Sequence, residues 1–309
     1  MLSIYKNKTL QTDRKSICFR KTLKNSSIIE GVGLHSGEIV KIIFHPADEF
    51  TGIQFRTTGK NNQQIMIPAE LEYVMDTSMA VTLGKDHVYV QTIEHLMYAL
   101  YVLGVTDIII ELIGGSEIPI LDGSAYPFIE ILESCEFHEY SSIVEVIEIK
   151  KPIMVTDGDR YIVGIPANEL KISYNIHYNH PLLKNQSCEM TYKKEFFANH
   201  ISRARTFGFM KDVEILRKKG LAQGGTIENV LVFNKKSTIN KERFLYEALY
   251  HKVLDLIGDI SLCGRPIKGH LLGSRGGHAL DIAFAKKLVK QMKEHEKTLE
   301  PALIKRSIY

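Results

Sequence analysis

Within YHKVLDLIGD, residues 250–259, His251, Asp255 and Asp259 recur at four-residue steps among apolar neighbours. On a helix that step stacks all three on one face. An imidazole nitrogen and a carboxylate oxygen one turn apart suit a single divalent ion such as zinc. A hydrolytic zinc site needs one more protein ligand and an open position for water. A second apolar stretch, TIEHLMYAL, carries His95 as the fitting third ligand, with Glu94 beside it as a general base. On spacing alone, His251 and Asp255 read equally as a metal chelate or as a hydrogen bond along a helix. His278 follows the glycines of GSRGGHALDIAF, which let the backbone turn sharply towards a ligand; it reads equally as a helix-start residue facing water. His35, in GVGLHSGE, either reaches a site or caps a glycine-rich turn.

Such residues need elements to hold them. From about residue 18 the chain alternates in strand fashion through KTLKNSSIIEGVGLHSGEIVKIIFHPA and TGIQFRTT. VQTIEHLMYALYVLG has helical apolar spacing and ends on Gly104; TDIIIELIG reads as a buried strand and DGSAYPFIEILESC as a turn entering a helix. The second half repeats the order: strands in SIVEVIEIKKPIMVTDGDRYIVGIP and ELKISYNIHYN, a helix RFLYEALYHKVLDLIGDISLCG ending near Gly264, a strand IKGHLLGS and a helix HALDIAFAKKLVKQMKEH. The repeat predicts an α+β protein of two similar domains, each a mainly antiparallel sheet packed with helices, with the active site between them. The expected division is a tail at 1–15, a first domain at 16–140 and a second at 141–309. An insertion around 207–233, rich in Gly, Arg and aromatics, has the composition of a site-forming segment.

The bulk numbers narrow the class. Of 309 residues, 44% are hydrophobic and 24% charged, the make-up of a folded globular chain. A formal net charge of +3 and scattered lysines argue against nucleic acid as a partner. Cys18, Cys135, Cys188 and Cys263 stand far apart, which disfavours a disulfide framework or a cysteine cluster and fits a reducing compartment. The polar N-terminus lacks an apolar signal core, and no run reaches about 18 apolar residues, so neither secretion nor a membrane span is expected.

The segments GVGLHSGE, TIEHL, PILDGSAYPF, NHP, SRARTFGFMKDVEILRKKGLAQGGT, HKVLDLIGD and GGHAL occur in that order between about residues 18 and 295. Together they resemble the UDP-3-O-acyl-N-acetylglucosamine deacetylase family of lipid A biosynthesis. The resemblance implies zinc-dependent hydrolysis of the N-acetyl group of UDP-3-O-(3-hydroxyacyl)-N-acetylglucosamine, yielding a free amine and acetate. It also implies a cytoplasmic enzyme of two α+β domains sandwiching the site. Carried onto this chain, the zinc ligands are His95, His251 and Asp255, the general base Glu94 and the catalytic histidine His278. Thr206 stabilises the oxyanion, and Asp259 partners the histidine. Lys252, Phe207 and Phe209 meet the substrate, and the insertion, with Val213 and Val232, forms a passage for the acyl chain. Two positions depart from the family's habit: Gly276 stands where serine is common and Arg275 where lysine is. A two-histidine, one-aspartate set accepts iron(II) as well as zinc.

Lys252, Arg205 and Arg275 are the cations at hand for the diphosphate, and each reads equally as a surface charge. Basic spots such as LRKKG suit weak peripheral association with an anionic inner-membrane surface. The expected oligomeric state is a monomer. A non-enzymatic nucleotide-sugar module and an amidase acting on another acylated amine are the competing classes; retained metal and a substrate panel discriminate them.

Overall fold

A computed structural model describes residues 18–306; the expected tail at 1–15 lies outside them. A five-stranded sheet runs in the spatial order Ser27–Val32, Ile39–Pro46, Ile108–Ile113, Ile53–Thr58, Gln64–Pro68. A second sheet runs Ile153–Asp157, Arg160–Ile165, Ile267–Ser274, Leu170–Ile176, Gln186–Thr191, with Ile147–Glu148 added beside Ile267–Ser274. In both, the chain makes a hairpin, a second hairpin and then a strand inserted between them. That strand lies antiparallel to the first hairpin and parallel to the second. The repeat expected from the order of elements is thus a repeat of topology.

The alternation that marks the strands also sets their faces. Val40, Ile42 and Phe44 are fully buried along Ile39–Pro46, and Leu170, Ile172, Tyr174 and Ile176 are buried along a strand of the second sheet, Leu170–Ile176.

Six α-helices lie among the described residues: α1 (Glu94–Leu103), α2 (Tyr126–Ser134), α3 (Lys194–Asn199), α4 (Met210–Lys218), α5 (Glu247–Ile260) and α6 (His278–Arg306). In each half the helix before the inserted strand packs on the helix after it, α1 on α2 and α5 on α6, and α1 crosses α5. One apolar cluster runs from Phe44 and Ile110 in the first sheet through α1 and α5 to Ile172 and Leu271 in the second. A helix lodged between two halves must be apolar all round. Accordingly, thirteen of the fourteen residues of α5 are buried, so any polar group on it faces a closed interior.

Helix ends follow local chemistry. Gly104, at φ 72°, caps α1 in the left-handed region, and Gly264, at φ 73°, closes the short turn after α5. The start of α5 differs from expectation. RFLY lies outside it, because Tyr246 takes φ 64° and Glu247 turns its carboxylate back to accept from the Arg243 N–H at 2.7 Å. The insertion holds α4 and a parallel strand pair, Phe207–Phe209 with Leu231–Phe233. It also reaches back to the first half, where the Gln223 and Gly224 amides donate to the carbonyls of His35 and Leu34.

Candidate active site

Where α1 crosses α5, Gly258 meets the main chain of Glu94; a Cβ there would collide with the Glu94 carbonyl and lie 2.9 Å from its carbon. Only glycine permits the approach. It brings His95 of α1 opposite His251 and Asp255 of α5. The two rings stand edge to face with centroids 5.0 Å apart. Asp255 Oδ1 lies 3.3 Å from His251 Nε2 and 3.9 Å from His95 Nε2. All three side chains are buried, and each offers one donor atom within 4.8 Å of the others.

Their protonation suits a cation. His251 Nδ1 lies 3.0 Å from the Ala204 carbonyl, which can only accept, so Nδ1 carries the hydrogen and Nε2 keeps a lone pair towards Asp255. Burial lowers the pKa of His251, and it takes that of His95 down to about 3 with help from neighbouring His251. Both rings are therefore neutral. Burial opposes ionisation of Asp255, but His251 and Lys252 outweigh it and hold its carboxyl well below the usual range. Lys252 Nζ donates to Asp255 Oδ2 at 2.7 Å, which leaves Oδ1 turned towards the histidines. Two neutral imidazoles and one carboxylate are the deprotonated donor set that a divalent metal requires.

A second group borders the first. Glu94 opens α1, and its Oε2 accepts from the Val81 N–H at 3.1 Å. Burial raises its pKa to about 7, partly offset by His278. His278 opens α6; its Nε2 is 3.9 Å from Glu94 Oε1 and its Nδ1 is 2.8 Å from Asp259 Oδ2. Asp259 accepts, so Nδ1 donates and Nε2 faces Glu94. The stripe on α5 therefore divides: His251 and Asp255 join His95, whereas Asp259, one turn on, holds His278.

The loop before the insertion is anchored rather than loose. Thr206 donates its N–H to Gly123 and accepts from the Leu231 N–H, both at 2.8 Å. Arg205 beside it is buried, with Nε 2.7 Å from Glu247 Oε1 and Nη2 bonded to the Lys241 carbonyl at 2.7 Å. This corrects the expectation that Arg205 awaits a diphosphate: its guanidinium is spent inside the protein. Arg275 is half-exposed and paired with Asp159. Lys252 is buried against Asp255 rather than standing at the surface.

Phe207 lies with its ring 6.2 Å from that of His251, and it joins Phe209, Phe233 and Tyr178 in an aromatic wall. Val232 is buried beside Gly208 in the parallel pair, while Val213 is half-buried on α4. His35 is buried, and its amide and that of Ser36 donate to Glu117, which also accepts from Thr92. Burial lowers the pKa of His35, and His278 is among the charges it senses. Glu117, Glu247 and Asp281 escaped the reading of the sequence. Only Asp281 carried a local signal, one turn after His278; the partners of the other two are distant in sequence.

A trio that can hold an ion, flanked by a carboxylate on one side and a histidine on another, defines a hydrolase in which two copies of one topology each supply part of the site. Comparison with known proteins makes the class particular. A profile of the UDP-3-O-acyl N-acetylglycosamine deacetylases matches residues 20–290. The UDP-3-O-acyl-N-acetylglucosamine deacetylase of Leptospira biflexa is 44% identical over 286 residues, covering 92% of this chain and 94% of its own length. Its namesake in Myxococcus xanthus is 43% identical over 278 residues (89% and 88%), and that of Thermodesulfovibrio yellowstonii 40% identical over 273 (88% and 92%). The chain belongs to this metalloenzyme family.

Proposed function

We propose that the chain removes the N-acetyl group of UDP-3-O-(3-hydroxyacyl)-N-acetylglucosamine in lipid A biosynthesis, releasing acetate and a free amine. One observation carries the residue assignments: His95, His251 and Asp255 converge from two helices, with Glu94 and His278 flanking them. The ion they would hold is zinc, with iron(II) the alternative for the same donors. Bound there, zinc supplies Lewis acidity to the acetyl carbonyl and acidifies water.

The chain's own groups do the rest. Glu94, with a pKa near neutrality, accepts the proton of the attacking water. The Thr206 hydroxyl donates to the oxygen that gains charge as the carbonyl carbon becomes tetrahedral. His278, as imidazolium, passes the proton on its Nε2 to the leaving nitrogen, while Asp259 accepts from Nδ1 and fixes the ring. Lys252 sets the tilt of Asp255 and presents charge to the substrate. Phe207 and Phe209 line the sugar and the start of the acyl chain, and Val213 and Val232 line the passage beyond.

We place the division between the two units near residues 145–146, because the strand Phe137–Val144 pairs back onto Cys18–Leu23 whereas Ile147–Glu148 joins the second sheet. No helix among the described residues is long and apolar enough to cross a membrane. A substrate with a soluble nucleotide end and a fatty chain favours work in the cytoplasm at the edge of the inner membrane, with α4 as the touching element.

The decisive experiment is a deacetylase assay on the UDP-acyl sugar, run before and after chelation and again after zinc is restored. Loss and recovery of acetate release are expected. Full activity in the chelated protein would sink the metal assignment, and acetate release only from some other acylated amine would sink the substrate.

A further inference from the structure

Behind His278, on the side away from Glu94, α5 packs on α6 and brings Asp259 against Asp281. Both residues are buried, with exposures of 1% and 0%. Asp259 Oδ2 is taken by His278 Nδ1, but Asp259 Oδ1 and both oxygens of Asp281 lack any N–H or hydroxyl donor. Asp259, His278 and Asp281 each place one ligand atom within 4.8 Å of the others. The charged and titratable neighbours are Asp255 and Lys252 on α5, His278 on α6, Glu94 on α1 and Tyr174 on the second sheet. Lys252 is already bonded to Asp255, and the Tyr174 hydroxyl is itself buried without a partner. Gly276 seals the cluster: a Cβ there would fall 2.7 Å from the Tyr174 oxygen and 3.4 Å from Asp281 Oδ1. Two buried carboxylates this close, with no cation of their own, cannot both stay ionised in such a place.

We propose that Asp281 is a positioning residue for His278, holding one proton jointly with Asp259. The shared proton ties Asp259 Oδ1 to Asp281 and aims Oδ2 at His278 Nδ1, and the pair presents one negative charge to the ring instead of two. Burial pushes both carboxyls well above the usual range, helped at Asp259 by the charge of Asp255 and at Asp281 by that of Asp259. The idea rests on the role given to His278, but its primary readout does not involve activity.

The test compares wild-type protein with Asp281→Asn and Asp281→Ala. At neutral pH the infrared difference spectrum, wild type minus Asp281→Asn, should contain the carbonyl band of one protonated carboxylic acid, sensitive to deuterium exchange. Asp281→Asn keeps a neutral donor to Asp259 and should hold the loss of kcat below about tenfold. Asp281→Ala frees Asp259 Oδ1 and should lower kcat by about 10- to 100-fold, with KM and metal content little changed. Absence of the protonated-acid band would overturn the proposal. So would Asp281→Ala turning over faster than Asp281→Asn. Binding of a second equivalent of zinc by the wild type but not by Asp281→Asn would assign the carboxyls to a cation instead, and would overturn it too. If Asp281→Ala does not fold, the infrared comparison with Asp281→Asn still decides. Failure of the deacetylase assay with the acid band present would remove the reading of function and leave the shared proton standing.

Discussion

On the proposed mechanism Glu94, Thr206 and His278 divide the work of an amide hydrolysis, and each division has its own signature. His278→Ala should retain its metal, because the ring bonds Asp259 and not the ligand trio. Its kcat should fall by about 100- to 10,000-fold, since a proton donor to a poor leaving group is lost. Metal analysis beside steady-state kinetics checks both halves of that statement. His251→Ala should instead lose metal affinity, and unchanged content would take it out of the ligand set. Thr206→Val keeps the shape but removes the donor, which is expected to cost about 3 kcal/mol of transition-state stabilisation, read as kcat/KM. The four-residue stripe on α5 was legible because it interrupts an apolar run; its purpose was not, since spacing cannot say that His251 and Asp255 face α1 while Asp259 faces α6. Arg205 shows the opposite failure. Its charge suggested a phosphate, but the partner that consumes it, Glu247, is 42 residues away.

Elements set those residues in place, and two of them depend on single contacts. Gly258→Ala puts a methyl into the Glu94 carbonyl, so α1 and α5 must separate. A destabilisation of about 1–3 kcal/mol is expected by denaturant titration, with a larger loss of metal affinity than of stability. Glu247→Gln takes the charge from an almost fully buried ion pair and strands the Arg205 guanidinium, an expected cost of about 3–5 kcal/mol. The loop it clamps carries both Thr206 and the Ala204 carbonyl that fixes the tautomer of His251. α4 is a different kind of element, with no buried residue. It exposes Met210 and Ile215 beside Lys211, Arg217 and Lys218. Such a face should favour anionic over neutral vesicles by ~1 kcal/mol per basic residue that reaches the surface. Equal partitioning in flotation would remove α4 from any membrane role.

At the scale of the molecule, the fold was readable from the order of elements, because alternation and helical periodicity recur in the same sequence in both halves. What could not be read was the identical strand order of the sheets, since it is set by contacts between distant segments. The proposed ligands come from both halves, so an ion held by them should brace the whole chain. An ion that binds only the folded form, supplied at about a hundred times its Kd, adds about 2.7 kcal/mol. Thermal melts should therefore rise on adding zinc to chelated wild type and to His278→Ala, but not to His95→Ala. The contact between Gly258 and the Glu94 main chain carries a last consequence. Two backbones already in touch have no travel left, so the separation of the two helices here is dictated by atomic radii and not by what lies between the opposing imidazoles. Whatever sits in that cradle meets a frame of fixed width, and any preference for one ion size over another falls to side-chain rotation alone.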